Sequence, residues 1–444
     1  MLRFGLVIAL GLFATVAVAE TPPSRPGIDA PELARLGAHG VGVRSITLVQ
    51  PGQADILAYD AAKGAAPLKD RSLPVDIWYP ATTPVNARPV TYADTLPAEP
   101  PKLPAAFTVA GVAVRDAPPL KGAFPLVILS HGYSGTPSAM TWLAENLASK
   151  GYVVAGIHHR DPDISDGKGF PEPFMRRPLD IAFVAHELQA QAGKGALLGA
   201  DISRVALMGY SMGGYGVLTV AGASLDPAGG AAAIPGGLMK PYVRGGAQAG
   251  ELAIPGLKAV VAIAPAGVRF KTWGPEGLAG VTAPLLIIAG DQDRTVGFSD
   301  GIKPVFDQAV HADRYMLVFE NAGHSIGMSS APASMRDTLW DFHWFEDPAW
   351  RKDKIMAVSQ HMITAFLDLQ VKGDASRAAY LTTDVVVGND SRWPSPPPAS
   401  YGAFSPGGAG LTWKGFPRNG VQGLELHHRP SAPQAATVAG STPH

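Results

Sequence analysis

Hydrophobic and polar positions follow two different patterns along the chain. Residues 41–49 and 73–80 alternate apolar and polar side chains, which is typical of half-buried antiparallel strands. After residue 124 the apolar positions form short continuous runs that predict buried strands, separated by amphipathic stretches. The predicted buried strands are residues 125–130, 152–159, 204–209, 258–265, 283–290 and 314–320. The predicted helices are residues 138–151, 178–191, 212–223 and 353–373, with Pro178 expected in the first turn of the second.

Buried strands that alternate with amphipathic helices indicate an α/β fold. Parallel strands need crossover helices, and those helices cover both faces of the sheet. The pattern therefore predicts about eight strands, mostly parallel, in one domain over residues 41–373. Three long segments interrupt it, at residues 81–124, 160–177 and 224–256, and we expect them to govern access to a site. The third, rich in glycine, is a candidate lid insertion, with a flexible surface loop as the alternative.

The two ends of the chain differ from this domain. Residues 1–19 combine a basic start, an apolar stretch and the small-x-small sequence Ala17-Val18-Ala19, which predicts a cleaved secretory signal peptide. An uncleaved anchor is the alternative, but the run is short for a spanning helix. Residues 20–40 are predicted to form a flexible lead-in. Residues 374–444 read as a C-terminal extension that is partly linker-like and disordered, with a small strand near 420–428.

Composition narrows the function classes. Apolar residues make up 46% of the 444 positions and charged residues 16%, so a large core is expected. The net charge of −1 argues against nucleic acid as the main partner. The absence of cysteine removes disulfides, thiolate nucleophiles and cysteine metal sites. The chain also lacks the motifs of zinc, nucleotide and dinucleotide sites, so no metal or organic cofactor is expected.

One serine lies in a setting that needs explanation. The sequence Gly209-Tyr210-Ser211-Met212-Gly213 fits G-x-S-x-G and falls between a predicted strand and a predicted helix. Small residues at 209 and 213 would let the chain turn sharply and present the hydroxyl at the amino end of the helix, where the helix dipole favours negative charge. Ser211 is therefore the predicted nucleophile, and a glycine-rich turn with a hydroxyl cap is the alternative.

A serine nucleophile needs a base and an orienting acid. His324 follows the last predicted strand in a glycine-flanked loop and is the predicted base. The preceding strand ends at Asp291 and Asp293, either of which could orient the imidazole. Asp293 is favoured because it lies further into the loop. The resulting order along the chain is Ser, Asp, His.

An oxyanion formed on attack needs two backbone donors. The residue after the nucleophile, Met212, supplies the first N–H, and the loop "SHGYSGTP" (130–137) supplies the second. Within that loop Gly132 permits a sharp turn and the N–H of Tyr133 is the predicted donor, although a plain strand-to-helix turn is the alternative.

These motifs resemble the α/β-hydrolase superfamily. "PLVILSHGYSG", "GYSMGG", "AGDQDRTV" and "NAGHS" match its motifs in order and spacing. More narrowly, "VGVRSITLV…LPVDIWYPA" and "RRPLDIAFV" resemble bacterial proteins labelled dienelactone-hydrolase-like or platelet-activating-factor-acetylhydrolase-like. The "SHGYSG" and "GYSMGG" motifs are also similar to those of polyester and cutin hydrolases, which are shorter.

The resemblance implies an α/β-hydrolase fold and hydrolysis of carboxylic esters by a serine enzyme. Dienelactone hydrolases use cysteine, whereas this chain has serine, which favours ordinary esters over lactone rings. The expected substrate is a small-molecule or lipid-like ester, and the expected location is the periplasm or the exterior, without a stable membrane span. A peptidase or acyltransferase with the same three residues is the second hypothesis, and a non-catalytic binding protein on this fold is the third.

Overall fold

The computed structural model describes residues 26–97, 104–162, 167–226, 228–230, 234–392 and 411–433. The predicted signal peptide, the start of the lead-in and residues 393–410 of the linker-like extension lie outside the described residues. The strands are β1 (Gly40–Ala54), β2 (Leu68–Ala81), β3 (Thr91–Leu96), β4 (Ala105–Ala110), β5 (Val114–Arg115), β6 (Phe124–Ser130), β7 (Val153–Ile157), β8 (Ala200–Tyr210), β9 (Leu257–Ile263), β10 (Leu285–Gly290), β11 (Arg314–Phe319) and β12 (Leu424–Arg429).

Ten of the described strands form one mixed sheet in the order β12-β11-β10-β9-β8-β6-β7-β2-β1-β5. The six central strands, β6 to β11, run parallel, while β2 and β12 pair antiparallel at the two sides. From β6 the chain crosses to β7 on one side and then returns to β8 on the other. In open α/β sheets the crevice beside such a reversal is the usual site of ligand binding.

Helices cover both faces of the parallel strands, as their continuous apolar runs predict. Residues 125–130 of β6 are all buried although successive side chains point to opposite faces. Helices α2 and α3 pack together, and α1 packs against α7. The helices are α1 (Thr141–Ser149), α2 (Pro171–Ala190), α3 (Met212–Val220), α4 (Pro275–Leu278), α5 (Lys303–Gln308), α6 (Leu339–Phe345), α7 (Lys352–Gln370) and α8 (Ala378–Leu381).

Three predictions about extent need correction. The main sheet has ten described strands rather than about eight, because β5 and β12 extend its two edges. Since β12 pairs with β11 along its whole length, the domain does not end at residue 373. The described part of the lead-in is packed rather than flexible. Leu33 N–H donates to His361 Nδ1 at 3.0 Å, and Asn146 Nδ2 donates to the carbonyl oxygen of Ala34 at 2.9 Å.

Helix α2 begins at Pro171, two turns before the predicted start at Pro178. A proline inside a helix lacks the N–H that would bond to the carbonyl four residues earlier. Here that carbonyl belongs to Phe174, and the hydroxyl of Tyr215 on α3 donates to it at 2.6 Å. A side chain from the neighbouring helix thus satisfies the group that Pro178 leaves open.

Candidate active site

Ser211 occupies the bend between β8 and α3 that the sequence predicts. Its backbone has φ 55° and ψ −116°, a strained conformation for a residue with a side chain. A Cβ on Gly209 would lie 2.2 Å from the Gly213 carbonyl oxygen, and a Cβ on Gly213 would lie 2.0 Å from that of Ser130. Both contacts are far inside van der Waals distance, so the bend requires glycine at both positions.

The bend is braced by the neighbouring strand. Ser211 N–H donates to the carbonyl oxygen of Ile263 at 2.9 Å, and Ala266 N–H donates to that of Ser211 at 3.0 Å. These bonds tie the strained residue to the end of β9. The Ser211 side chain is therefore held at the carboxyl edge of the sheet, and 8% of the residue stays exposed.

His324 lies beside this serine, in the loop after β11. Its Nε2 is 2.9 Å from Ser211 Oγ. The hydroxyl of Tyr210 donates to the His324 carbonyl oxygen at 3.0 Å, and the two rings are 5.2 Å apart. Burial raises the pKa of Tyr210, so its hydroxyl remains a donor.

The residues on either side of His324 are fixed by the segment that follows α6. The carboxylate of Asp347 accepts from Gly323 N–H at 2.7 Å, and Ser325 Oγ donates to the Glu346 carbonyl oxygen at 2.9 Å. Lys352 Nζ donates to the Ser325 carbonyl oxygen at 2.7 Å, and burial lowers the pKa of this lysine to about 8. The imidazole therefore projects from a loop held on both sides.

The two candidate acids have separate partners. Asp293 Oδ2 lies 2.6 Å from His324 Nδ1, and its Oδ1 accepts from the N–H groups of Thr295 and Val296 at 2.9 and 3.0 Å. Asp291 instead accepts from Asn321 N–H at 2.6 Å and joins two loops. The structure thus brings Asp293, His324 and Ser211 into one hydrogen-bonded line and leaves Asp291 outside it.

The two predicted backbone donors, Tyr133 and Met212, both line the cavity beside Ser211. Tyr133 lies in the loop after β6, and Arg177 of α2 is hydrogen-bonded to that loop. This arginine is fully buried and donates to the carbonyl oxygens of His131 and Gly132. The position of Tyr133 thus depends on a helix that the sequence motifs did not connect with it.

A second Ser-His-Asp line lies beneath this loop. Ser130 Oγ is 2.9 Å from His159 Nε2, and His159 Nδ1 is 2.9 Å from Asp180 Oδ2. Burial and the charge of Arg177 lower the pKa of His159 to about 3. Burial alone would raise the pKa of Asp180, but Arg71 and the bond from His159 lower it to about 2. This line contains a neutral imidazole and a charged carboxylate at neutral pH.

The other histidines take varied positions. His131 bonds within the loop after β6, and His361 is buried on α7. His158 bonds to Asp76 at 2.8 Å. His343 lines the cavity. His427 and His428 lie in β12, where the sequence predicts a small strand.

A cavity of about 740 Å³ opens beside Ser211. Its walls are largely aromatic, and its lining includes Tyr133, Phe170, Phe270, Trp340, His343 and Trp344. Three long segments were expected to control access. Among their described residues, those that line the cavity are Gly167 and Phe170, both from 160–177. No described residue of 224–256 lines the cavity, so the lid assigned to that segment stays a prediction without support from the lining. The wall comes instead from α6, which the sequence analysis missed.

The described residues were compared with two kinds of feature, metal-binding clusters and membrane-spanning helices. No group of three or more histidine, cysteine or acidic side chains there is arranged to hold a metal ion. Within the same residues, no helix has the length and apolar character needed to cross a membrane.

Comparisons with known proteins agree with this architecture. A family model described as PET hydrolase-like matches residues 118–235, which contain β6, β8 and the Ser211 bend. Cutinase est1 of Thermobifida alba is 28% identical over 199 residues, covering 45% of this chain and 52% of that protein. A bis(hydroxyethyl) terephthalate hydrolase of Streptomyces coelicolor is 26% identical over 206 residues, covering 46% of this chain and 51% of that protein.

The chain spans about half the length of the curated relatives it matches. Similarity in structure extends further. The solved structure of a ferulic acid esterase from Streptomyces cinnamoneus aligns with a TM-score of 0.51 and 19% identity, covering 78% of this chain and 94% of that one. This likeness concerns the fold alone. The chain thus has an α/β-hydrolase fold, and the family model and the relatives agree with it.

Proposed function

We propose that this protein is an exported serine hydrolase that cleaves carboxylic esters through Ser211, His324 and Asp293. The observation that carries the proposal is the hydrogen-bonded line of these side chains, 2.9 and 2.6 Å long at its two joints, that ends in the aromatic cavity. Nucleophile, base and orienting acid need this connectivity, and the nucleophile must also reach a substrate. The names of the relatives, which are cutinases and a terephthalate ester hydrolase, support the same reaction class.

In the proposed first step, Ser211 Oγ forms a bond to the ester carbonyl carbon while its proton passes to His324 Nε2. The carbonyl π electrons move onto the oxygen, which the N–H groups of Met212 and Tyr133 stabilise. Collapse of this intermediate breaks the bond to the alcohol oxygen, which takes the proton from His324. Asp293 holds the imidazole in the required orientation and stabilises its charged form.

In the second step, water takes the place of the serine hydroxyl. His324 removes a proton from water as the water oxygen attacks the acyl-enzyme carbonyl, and the intermediate collapses by releasing Ser211 Oγ, which regains its proton. The products are a carboxylic acid and an alcohol, and the enzyme returns to its starting state. Every proton in this cycle passes through one imidazole.

The cavity supports a neutral, apolar acyl group. Among the described residues that line it, none is a lysine, arginine, aspartate or glutamate. Its volume of about 740 Å³ falls within the range of small-molecule sites. We propose short-chain, lipid-like or aromatic acyl esters as substrates. The finer resemblance to platelet-activating-factor-acetylhydrolase-like proteins stays a prediction within this range.

Export is proposed from residues 1–19 alone, which have the composition of a cleaved signal peptide. Expression of the full chain in a Gram-negative host, followed by fractionation and N-terminal sequencing, tests it. We expect a mature form beginning at Glu20 outside the cytoplasm. Retention of the uncleaved chain in the membrane fraction would contradict the proposal.

The reaction class is tested with matched substrates. Purified protein should hydrolyse p-nitrophenyl esters of acetate, butyrate, octanoate and benzoate, and should leave peptide p-nitroanilides intact. Turnover of anilides without esters would favour a peptidase. Acyl transfer to an added alcohol in preference to water would favour an acyltransferase, and absence of any turnover by folded protein would favour a binding protein.

A further inference from the structure

The peptide group between Gly132 and Tyr133 has an unusually crowded carbonyl end. Its oxygen, on Gly132, accepts from His131 Nδ1 at 2.7 Å, Arg177 Nη2 at 3.0 Å and Gly135 N–H at 3.1 Å. A carbonyl oxygen has two lone pairs, so three donors saturate it. The other end of the same peptide is the N–H of Tyr133, the proposed oxyanion donor.

The side chain of Arg177 is held in a single conformation in which it can hydrogen-bond to this peptide. The residue is fully buried on α2, and its guanidinium also donates to the His131 carbonyl oxygen and to Ser130 Oγ at 3.3 Å. Asp161 pairs with it, accepting from Nε at 3.2 Å and from Nη2. A buried guanidinium with this many partners is locked in one orientation.

Asp161 holds the far side of the same loop. Its Oδ2 also accepts from Ser134 N–H at 3.0 Å. Ser134 has φ 52°, in the left-handed region that residues with side chains rarely adopt. The Arg177–Asp161 pair thus fixes the backbone on both sides of Tyr133.

His131 adds a neutral donor whose proton position follows from its partners. Nδ1 faces the Gly132 carbonyl oxygen, which can only accept, so Nδ1 carries the proton. Nε2 accepts from the backbone N–H of His159 at 3.2 Å, which places a lone pair there. Burial and the positive charge of Arg177 hold the pKa of His131 well below its usual value, in agreement with the neutral ring.

Hydrogen bonds to the oxygen of an amide strengthen its N–H as a donor, because they draw electron density from nitrogen towards oxygen. Such cooperative strengthening is about 10–30% per bond, and it is largest where water is excluded. We propose that Arg177 and His131 are positioning residues that orient and polarise the Gly132–Tyr133 peptide so that the Tyr133 N–H stabilises the oxyanion. This inference rests on the proposed esterase function. Neither side chain is assigned contact with the substrate.

The test compares each ester with its thiono analogue, in which sulfur replaces the carbonyl oxygen. Sulfur accepts hydrogen bonds weakly, so the ratio of kcat/KM for the oxo and thiono esters reports how strongly the enzyme hydrogen-bonds the developing oxyanion. A residue that only supports the fold would lower both rates together and leave this ratio unchanged.

Two variants address Arg177. Arg177→Lys keeps the charge and loses the planar set of donors, while the double variant Arg177→Met with Asp161→Asn removes the buried charges together, so that no unpaired carboxylate remains. Arg176→Met is the matched control. Arg176 is the adjacent residue on α2 and is 3% exposed, but it bonds to Gln53 and the Ala54 carbonyl oxygen, away from the loop.

In the double variant, we expect kcat for the oxo ester to fall about 10- to 100-fold, less than the loss of a whole oxyanion donor, with KM changed by at most about threefold. The oxo/thiono ratio should fall about tenfold, which corresponds to about 1.4 kcal/mol. Arg177→Lys should give an intermediate ratio, and Arg176→Met the wild-type ratio. His131→Asn should lower the ratio by a smaller factor, because it removes a neutral donor.

An unchanged ratio in Arg177→Lys and the double variant overturns the inference, whatever happens to the absolute rates. If the double variant does not fold, the ratio in Arg177→Lys decides, since that variant keeps the buried charge pair. Wild-type turnover separates the two hypotheses. An active wild type with unchanged variant ratios rejects only the role of Arg177 and His131, whereas a folded wild type without ester turnover rejects the proposed function together with this inference.

Discussion

Two Ser-His-Asp lines lie at the same edge of the sheet and differ in access. Ser211 and His324 open into the cavity, and the His324 side chain is 19% exposed. In the second line, Ser130 and the side chains of His159 and Asp180 are fully buried. Their hydrogen bonds are similar in length, so connectivity alone does not distinguish them.

Backbone and charge distinguish the two lines. Ser211 has a strained positive φ at the start of a helix, whereas Ser130 is the last residue of strand β6. Burial of the His159 imidazole, together with the charges of Arg177 and Arg71, opposes its protonation and lowers its pKa. An imidazole that is unfavourable to protonate is a poor base for activating a serine. We call Ser211, His324 and Asp293 the accessible line, and Ser130, His159 and Asp180 the sealed line. We infer that the accessible line carries out the chemistry and that the sealed line supports the loop after β6.

The largest effect should come from exchanging each serine for alanine. Ser211→Ala should lower kcat about 10⁵- to 10⁶-fold, because no other group can form the acyl-enzyme. Ser130→Ala should keep most of the activity and destabilise the fold by about 1–3 kcal/mol, since His159 Nε2 loses its donor. Ester kinetics and chemical denaturation of both variants check this. A larger loss of kcat in Ser130→Ala would reverse the assignment.

The next largest effect separates the two acids after β10. Asp293→Asn should lower kcat about 10⁴-fold, because an amide in place of the carboxylate favours the wrong imidazole tautomer. Asp291→Asn is the matched control, with the same change two residues away, and should stay within a few-fold of the wild type. Equal losses in both variants would contradict the assignment of Asp293.

The sealed line should appear in the pH dependence of stability. The pKa of His159 is about 3 in the folded protein, against 6.5 in the unfolded chain. As pH falls from about 6.5 to about 3, the unfolded chain binds a proton there that the folded protein does not, so stability decreases. Asp180, whose folded pKa is about 2, adds a further loss below pH 3.8.

Urea denaturation of wild type and His159→Gln across this pH range checks the effect. The free energy of unfolding of the variant should be lower than that of the wild type at pH 7. On acidification it should decrease less than that of the wild type, by an amount on the order of a few kcal/mol. Identical slopes for the two proteins would show that His159 is not a buried neutral group.

The smallest expected effect concerns the wall of the cavity beside Ser211. Trp344→Ala should raise KM for a benzoate ester about tenfold, or about 1.4 kcal/mol of lost contact, with little change in kcat. Leu339→Ala, in the same helix but 68% exposed and outside the lining, is the control. An unchanged KM in the tryptophan variant would exclude α6 from substrate binding.

Much of the fold was predictable because the central strands are continuous apolar runs. Each of β6 to β11 was located to within a few residues, and Ser211, Asp293 and His324 each follow the end of a strand, as predicted. The β3–β4 hairpin was missed because its Ala- and Thr-rich sequence lacks strong alternation. The start of α2 was misplaced because Pro171 and Pro178 both fit a first turn, and only Tyr215 on α3 makes the second acceptable inside a helix.

Two parts of the site could not be derived from local sequence. Helix α6 has seven residues, which is too short for an amphipathic period to mark it, and its Trp340, His343 and Trp344 line the cavity. The hydrogen-bond network around Arg177, beneath the loop after β6, joins β6, the loop after β7 and α2. Its contacts depend on tertiary packing alone. Buried polar residues in those segments were the available signal, but they do not identify their partners.

The central claim is that Ser211, and not Ser130, is the nucleophile. Incubation of the folded wild type with a fluorophosphonate, followed by proteolysis and mass spectrometry, tests it most directly. The account predicts one adduct, on the peptide that contains Ser211, and none in the Ser211→Ala variant. An adduct on Ser130, or a folded protein that remains unmodified while it hydrolyses esters, would contradict it.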